Sequence, residues 1–479
     1  MSENRKLQQF YTLIKNAKVA VMGVGISNRP LIRYIYKLGA EITAFDSLPA
    51  DDSVLSKTKS DFEKEGIFIK WSCGEDYLSQ LDAVDFQYIF RTPQMHSDNP
   101  ALQRAVMRGS ILTSEMEVFM ELCPAKLFAV TGSDGKTTTT TLISLLLKEA
   151  GYHVHIGGNI GNPLLDQVES IHEDDFVVLE LSSFQLLTNT KSADVAVVTN
   201  VSPNHLNVHK DYDEYISAKK NIFKNQSFMG RLVLNYDNEI TRNMVGERRG
   251  SLAFFYRKNA DSLLNHMAET VFIENQNIYF RPYNETPILI LSENDILIPG
   301  DHNVENYMAA IAAVYPWVNK EQIQKVARTF AGVEHRIELV KELHQVRYFN
   351  SSIDTSPSRT INTMNALSKR KEKGVLIAGG ADKKCDYTGL GEAILSVCDR
   401  IILCGDNAKQ IQIAIESTGN QIEYKIFNVE DHKEAVVLAK KIANEGEIVI
   451  LSPVGTSYDR FRHFEERGNL FKTLVNELE

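Results

Sequence analysis

The sequence predicts an α/β protein of three units in series: an N-terminal Rossmann-like unit, a central P-loop ATPase-like unit and a C-terminal Rossmann-like unit. Three observations carry this. Short apolar β runs alternate with helical patterns along the chain. A phosphate-loop sequence, Thr131-Gly132-Ser133-Asp134-Gly135-Lys136-Thr137-Thr138, lies between an apolar run at 127–130 and an apolar helical pattern at 142–147. Finally, 479 residues are too many for one hydrophobic core. The succession of elements and motifs places the units at 1–116, 117–333 and 334–479.

The first unit opens with a strand at 19–23, a turn, a helix at 28–38 stopped by Gly39, and a strand at 41–45 that ends at Asp46. This is a βαβ start of nucleotide-binding type. Gly23 and Gly25 are present, but Asn28 stands where a dinucleotide fingerprint needs its third glycine. Asp46 reads either as an acceptor for a sugar or base, or as a solvated strand end.

The central unit is built around the phosphate loop. Backbone N–H groups and the N-terminus of the following helix face an anion, Lys136 neutralises it, and a threonine hydroxyl can ligate Mg²⁺. Val130 stands where the longer form of this motif has its first glycine. Further strands are expected at 176–181, 195–199 and 231–234, with a peripheral sheet across 259–294. Glu180, at the end of an apolar strand, is placed to hold Mg²⁺ or is a charge on the rim of a sheet. His205 and His209 sit in a polar loop after another buried strand, where ligand contact and plain exposure are equally open. Lys219, taken alone, reads as a solvated helix charge. The last unit repeats β-then-helix at 346–349, 375–378, 400–404, 424–427 and 448–451, which predicts a mostly parallel sheet covered on both faces.

Bulk properties narrow the class. The chain has 52 Lys and Arg against 62 Asp and Glu, a net charge of −10, which argues against a general nucleic-acid binder. No apolar run approaches the roughly 18 residues of a membrane span, and residues 1–18 lack a signal-peptide core. Five cysteines show neither a C-x-x-C pair nor zinc spacing, so they read as free thiols in a reducing compartment. The expected location is cytoplasmic.

In combination, these features resemble the Mur ligase family, ATP-dependent amide ligases that build the stem peptide of peptidoglycan. The resemblance spans nearly the whole chain. It rests on T-G-S-D-G-K-T-T-T (131–139), G-G-N-I-G (157–161), L-E-L-S-S-F-Q-L (179–186), the His205 loop, Lys219, H-N-V-E-N (302–306), E-H-R-I-E (334–338), G-G-A-D-K (379–383) and L-S-P-V-G-T-S-Y-D-R-F-R-H-F-E-E-R-G (451–468). Within the family, the 179–186 and 451–468 motifs point to the member that adds D-glutamate.

The resemblance implies a monomer that uses ATP and two Mg²⁺ ions to join D-glutamate to UDP-N-acetylmuramoyl-L-alanine through an acyl phosphate. It implies catalytic roles for Lys136, Glu180, His205 and Lys219, the last as a carbamate. ATP would lie on Thr131, Gly132, Ser133, Asp134, Gly135, Lys136, Thr137 and Thr138, with Asn303 and Asn306 near adenine and Arg336 near the phosphates. Thr137 and Glu180 would hold one Mg²⁺, His205 and Lys219 the other. Ile26, Ser27, Asp46 and Ser47 would bind UDP, Asn159 and His205 would flank the sugar substrate, and Thr355, Lys383, Ser457 and Phe464 would bind D-glutamate.

Two stretches depart from the family pattern. Asn350-Ser351-Ser352-Ile353-Asp354-Thr355 stands where relatives read N-D-S-K-A-T, so Asp354 and Arg359 are expected to restore the lost acid and cation. Arg91-Thr92-Pro93-Gln94 replaces an S-P-G turn, and Gln94 must then avoid positive φ or bear strain. The rival readings are a relative that adds another amino acid and a non-catalytic nucleotide-binding protein.

Overall fold

The computed structural model describes residues 4–25, 27–161, 163–203, 209–258, 267–298, 300–381, 385–419, 423–461 and 463–479. The chain forms two compact units, one of Met1–Ile296 with Asp301–Arg328, the other of Leu297–Gly300 with Thr329–Glu479. The first unit holds two sheets and the second holds one.

The first sheet contains β1 (Lys18–Met22), β2 (Glu41–Asp46), β3 (Lys70–Cys73), β4 (Tyr88–Phe90) and β5 (Ile111–Thr113), all parallel in the order β3-β2-β1-β4-β5. β1 is apolar at every position after Lys18 and buried on both faces, as a central parallel strand must be. The helix Asn28–Lys37 lays Leu31, Ile32, Tyr34 and Ile35 against the sheet, and Gly39 (φ +89°) ends it in the left-handed conformation.

The second sheet has nine strands: β6 (Lys126–Thr131), β7 (Val154–Gly158), β8 (Phe176–Glu180), β9 (Val195–Val198), β10 (Arg231–Asn235), β11 (Ser251–Tyr256), β12 (Glu269–Glu274), β13 (Asn277–Arg281) and β14 (Ile288–Ser292). Their order is β14-β13-β12-β11-β10-β9-β6-β8-β7, parallel from β7 to β12 and antiparallel beyond. The peripheral sheet expected across 259–294 is the outer part of this sheet, with 259–266 outside the described residues. Its strands at 269–292 continue the central sheet, because β12 pairs in parallel with the apolar β11 and covers what would otherwise be an open hydrophobic edge. Rings crossing that junction stack, Tyr256 on Phe272 at 5.6 Å and Phe272 on Tyr279 at 5.5 Å.

The third sheet contains β15 (Glu338–Leu343), β16 (Val346–Asn350), β17 (Gly374–Ala378), β18 (Cys398–Leu403), β19 (Lys425–Asn428) and β20 (Ile448–Leu451), in the order β15-β16-β20-β17-β18-β19. All neighbours are parallel except the β15–β16 hairpin, and separate apolar clusters cover the two faces. β15 escaped the sequence reading because Glu-Leu-Val-Lys-Glu-Leu carries charges and no buried position. Among the described residues, no helix is long and apolar enough to cross a membrane.

Candidate functional site

In the first unit the notable residues gather at the carboxyl ends of four neighbouring parallel strands, β9, β6, β8 and β7. That is where open α/β sheets place ligands. β6 ends at Thr131, and the loop of residues 132–135 delivers the chain into the helix Lys136–Glu149. Two glycines make this turn possible. Gly132 (φ +154°) lies so close to Thr199 that a Cβ would overlap its hydroxyl, and Gly135 (φ +78°) lies equally close to the Asn306 side chain. Thr199 Oγ1 donates to the Asp134 carbonyl at 2.6 Å, and Asn200 Oδ1 accepts from Asp134 N at 2.9 Å, so the segment that follows β9 clamps the loop. Sequence reading left Thr199 and Asn200 unassigned; their place just after a buried strand, beside the loop, was the available signal. Gly135→Ala should cost about 1–3 kcal/mol of local strain. ATP affinity measured by calorimetry is then expected to fall about tenfold or more, with the circular dichroism spectrum unchanged.

Two lysines share one carbonyl of this loop. Lys136 Nζ donates to Gly132 O and Ser133 O, both at 3.0 Å, and Lys219 Nζ donates to Gly132 O at 2.8 Å. The reading of Lys219 as a solvated charge is corrected: it is 1% exposed. The helix Tyr212–Lys220 turns Tyr215, Ala218 and Lys219 to the same inner face, as spacings of three and four require. The ammonium sits 4.5 Å from the centre of the Tyr215 ring, whose hydroxyl is 2.9 Å from Ser133 Oγ. Burial, and then the Lys136 charge, push the Lys219 amine down to about 7, against the pull of Asp134.

Glu180 closes β8 and is buried. Its Oε1 accepts from Asn159 Nδ2 at 2.8 Å, while its Oε2 is buried without a hydrogen-bond partner. An orphaned carboxylate oxygen in the interior is costly unless a cation meets it. Gly158 (φ +97°) allows β7 to pass against the Glu180 backbone, where any Cβ would collide. Asn303 and Asn306 lie one turn apart on the helix Asp301–Val314. Asn306 accepts from Thr139 Oγ1 at 3.3 Å and donates to Asn303 Oδ1 at 3.2 Å. Thr137 is buried in the first turn beside Lys136, and Thr138 is half-buried. His205 lies outside the described residues. His209 is buried, stacked on Phe184 at 5.1 Å and 2.9 Å from Ser183 Oγ.

At the first sheet, Asp46 receives Val24 N on Oδ2 at 3.0 Å and Leu48 N on Oδ1 at 3.1 Å, so it braces the two loops after β1 and β2. Asn28 donates to the Met22 and Gly23 carbonyls and is buried. Its side chain stands where a dinucleotide fingerprint has the glycine for close helix–strand packing, and it ties the start of the helix to the end of β1 instead. Ser27 precedes the helix without a side-chain cap bond, Ser47 is exposed, and Ile26 lies outside the described residues. Gln94 is not among the residues with positive φ. Arg91 is buried and donates to Thr188 Oγ1 (2.9 Å), Met95 O (2.9 Å) and Phe184 O (2.6 Å), tying the loop after β4 to the segment that follows Glu180. Burial pushes its guanidinium down to about 10. A structural arginine of this kind was not legible from Arg-Thr-Pro-Gln alone.

In the second unit, the loops after β16, β20 and β17 lie side by side because those strands are neighbours. They carry Thr355, the buried Ser457 and the bridge between Ala381 and Thr456; Lys383 lies outside the described residues. Phe464 begins the helix Phe464–Asn476, and its carbonyl accepts from Ser352 Oγ at 2.7 Å. Arg467, unassigned in the sequence reading, is buried and holds Ser352 O (3.0 Å) and Gly455 O (3.2 Å) together. Val454 adopts φ +65°, a strained conformation for a β-branched residue, next to these loops. Asp354 is buried and accepts from Ser452 Oγ at 2.7 Å. Burial raises its carboxyl above the usual range, opposed by the Ser452 hydrogen bond. Arg359 is exposed and donates to Ile353 O at 2.9 Å, and Arg336 is exposed on the 334–338 motif.

Family models match two parts of the chain, the Mur ligase middle domain over residues 130–314 and the Mur ligase glutamate ligase domain over residues 335–455. A protein of Acetivibrio thermocellus named UDP-N-acetylmuramoylalanine–D-glutamate ligase is 51% identical, over 99% of this chain and 100% of the relative. One of the same name from Ruminiclostridium cellulolyticum is 49% identical over the same shares. Among solved structures, the UDP-N-acetylmuramate-alanine ligase MurC of Thermotoga maritima superposes with a TM-score of 0.53 at 18% identity, over 96% of this chain and 99% of that one, a likeness of fold. Matched by both domain models and by relatives along its full length, the chain belongs to the Mur ligase family.

Proposed function

We propose that this chain is the ligase that adds D-glutamate to UDP-N-acetylmuramoyl-L-alanine, using ATP, in the cytoplasmic assembly of peptidoglycan precursors. The observation that carries the reading is the phosphate cradle after β6 beside an unpartnered buried carboxylate, Glu180, at the end of the neighbouring strand β8. Substrate identity is drawn from the full-length relatives bearing that name. The chain would act as a monomer with the domain division 1–116, 117–333 and 334–479.

The chemistry has two displacements. The alanyl carboxylate attacks the γ-phosphorus of ATP, an O–P bond forms, and ADP leaves. The D-glutamate amine then attacks the acyl carbon, loses a proton, and inorganic phosphate departs with the former carboxylate oxygen. Both steps crowd anions together, so positioning and charge stabilisation dominate. Asn200 holds the amides of Ser133 and Asp134, so Gly135 N and the first-turn amides of the following helix would meet the phosphates, with Lys136 leaving its loop carbonyls to neutralise them. The unpartnered Glu180 Oε2 suits a cation; with the Thr137 hydroxyl it would hold one Mg²⁺, which would supply charge neutralisation at phosphate oxygens. His205 and Lys219 would hold a second. Near neutral pH much of the Lys219 amine is uncharged. That is the form able to add CO₂: an N–C bond forms as one C=O π bond opens, one proton is released, and the neutral amine beside Lys136 becomes an anion.

Ile26, Ser27, Asp46 and Ser47 would hold the UDP moiety, and Asn159 with His205 would flank the sugar. Thr355, Lys383, Ser457 and Phe464 would receive D-glutamate, with Arg467 setting the loop positions. Arg359→Ala is expected to raise KM or cut kcat about tenfold, as loss of a charge-assisted contact would; unchanged kinetics removes Arg359 from the machinery. The reading as a whole is tested by ADP release with UDP-N-acetylmuramoyl-L-alanine and each of D-glutamate, L-glutamate, L-lysine and diaminopimelate. D-Glutamate alone should support turnover. Preference for another amino acid, or ATP binding without acyl-dependent ADP, would refute it.

A further inference from the structure

The central sheet carries a second cluster of ligating groups at the opposite ends of the strands that bear Asn159 and Glu180. His153 precedes β7, His155 is its second residue, and Asp175 precedes β8. Residues two apart on a strand share a face, so both imidazoles fall on one side of this edge strand. The ladder fixes the third group opposite them: Val154 pairs with Phe176, and Phe176 N donates to His153 O at 2.9 Å.

The side chains converge on one point. His155 Nε2 lies 2.9 Å and His153 Nδ1 3.3 Å from the same oxygen, Asp175 Oδ2, and one ligand atom from each of the three lies within 4.8 Å of the others. A tetrahedron with bonds of about 2.0 Å to nitrogen and oxygen has edges of about 3.3 Å, so these separations suit three corners of a metal site. The carboxylate is oriented from behind: His172 N donates to Asp175 Oδ2 at 3.0 Å and Asp175 N donates to His172 O at 3.1 Å. Such outer contacts are what fix a metal-binding carboxylate. Asp175 is buried, His155 partly so, and His153 faces solvent, which leaves an entry path and a fourth position for water.

We propose that His153, His155 and Asp175 form a transition-metal site, suited to Zn²⁺, that clasps edge strand β7 to β8. Two imidazoles and one carboxylate select a borderline ion over Mg²⁺, which prefers oxygen ligands alone. The site is distinct from the candidate catalytic residues. About 13 Å of strand, at roughly 3.3 Å per residue, separates the two ends of β7. Its occupation would pin the strand whose far end carries Asn159 against Glu180.

The test is calorimetric titration of the full-length, tag-free protein with Zn²⁺ in saturating Mg²⁺. Wild type should take up one equivalent that raises its melting temperature. His153→Gln, at an exposed position where folding is not at risk, should weaken that equivalent by on the order of 10²-fold, since even outer-shell losses cost 10–100-fold. His155→Gln should do the same, while Glu180→Gln should retain it. Replacing Zn²⁺ by Co²⁺ should produce visible absorption in wild type and not in His153→Gln. No uptake by wild type, or uptake unchanged in both histidine variants, would overturn the proposal.

Discussion

Glu180→Gln is expected to lower kcat for ligation by on the order of 10³-fold, the scale seen when one preorganised charge-stabilising group is lost. The amide keeps an oxygen for Asn159 Nδ2, which now sits 2.8 Å from Oε1, so the local geometry survives. What disappears is the negative charge at the orphaned Oε2. The same change removes an unpaired buried charge from the free protein, so the melting temperature should equal or exceed that of wild type. Stopped-flow or coupled ADP assays read the first effect and a thermal melt the second. A variant that kept more than a tenth of wild-type kcat would show that Glu180 holds no essential cation.

Lys219→Met is expected to abolish ligation and stabilise the fold, with a pH dependence whose sign is set by burial. The amine titrates at about 7 in the folded chain against an ordinary value of 10.5. Between these values the unfolded state binds more protons, so wild-type stability rises with pH across that window. The burden of the buried amine is therefore full below pH 7 and fades as pH climbs toward 10.5. In CO₂-depleted buffer, the gain from Lys219→Met should be larger at pH 6 than at pH 9. Gly132 O keeps its bond from Lys136 Nζ, so the loop loses no obligatory donor. A gain independent of pH would mean that the native protein leaves Lys219 as well solvated as the unfolded chain does, and one that grew with pH that a partner favours its charged form.

Much of this was legible before any coordinates. The glycine loop between an apolar strand and a helix declares its conformation, because Gly132 and Gly135 stand where no side chain fits. Buried parallel strands announce themselves as unbroken apolar runs such as Phe-Val-Val-Leu before Glu180. Other features depend on tertiary partners and left no local trace. The inward face of Lys219 follows from packing around Tyr215, and β15 is a strand by virtue of its pairing with β16. Arg91 and Arg467 look like surface charges in sequence, yet each spends its donors on the backbone of distant loops. The clasp of His153, His155 and Asp175 was missed because its two halves are 20 residues apart and meet only through the β7–β8 register.

The most direct test of the central claim follows oxygen. UDP-N-acetylmuramoyl-L-alanine labelled with ¹⁸O in its alanyl carboxylate is turned over with ATP and D-glutamate, and the released phosphate is weighed by mass spectrometry. Transfer of the γ-phosphoryl group to that carboxylate predicts one ¹⁸O in each phosphate formed. Unlabelled phosphate, or label appearing in AMP, would contradict it.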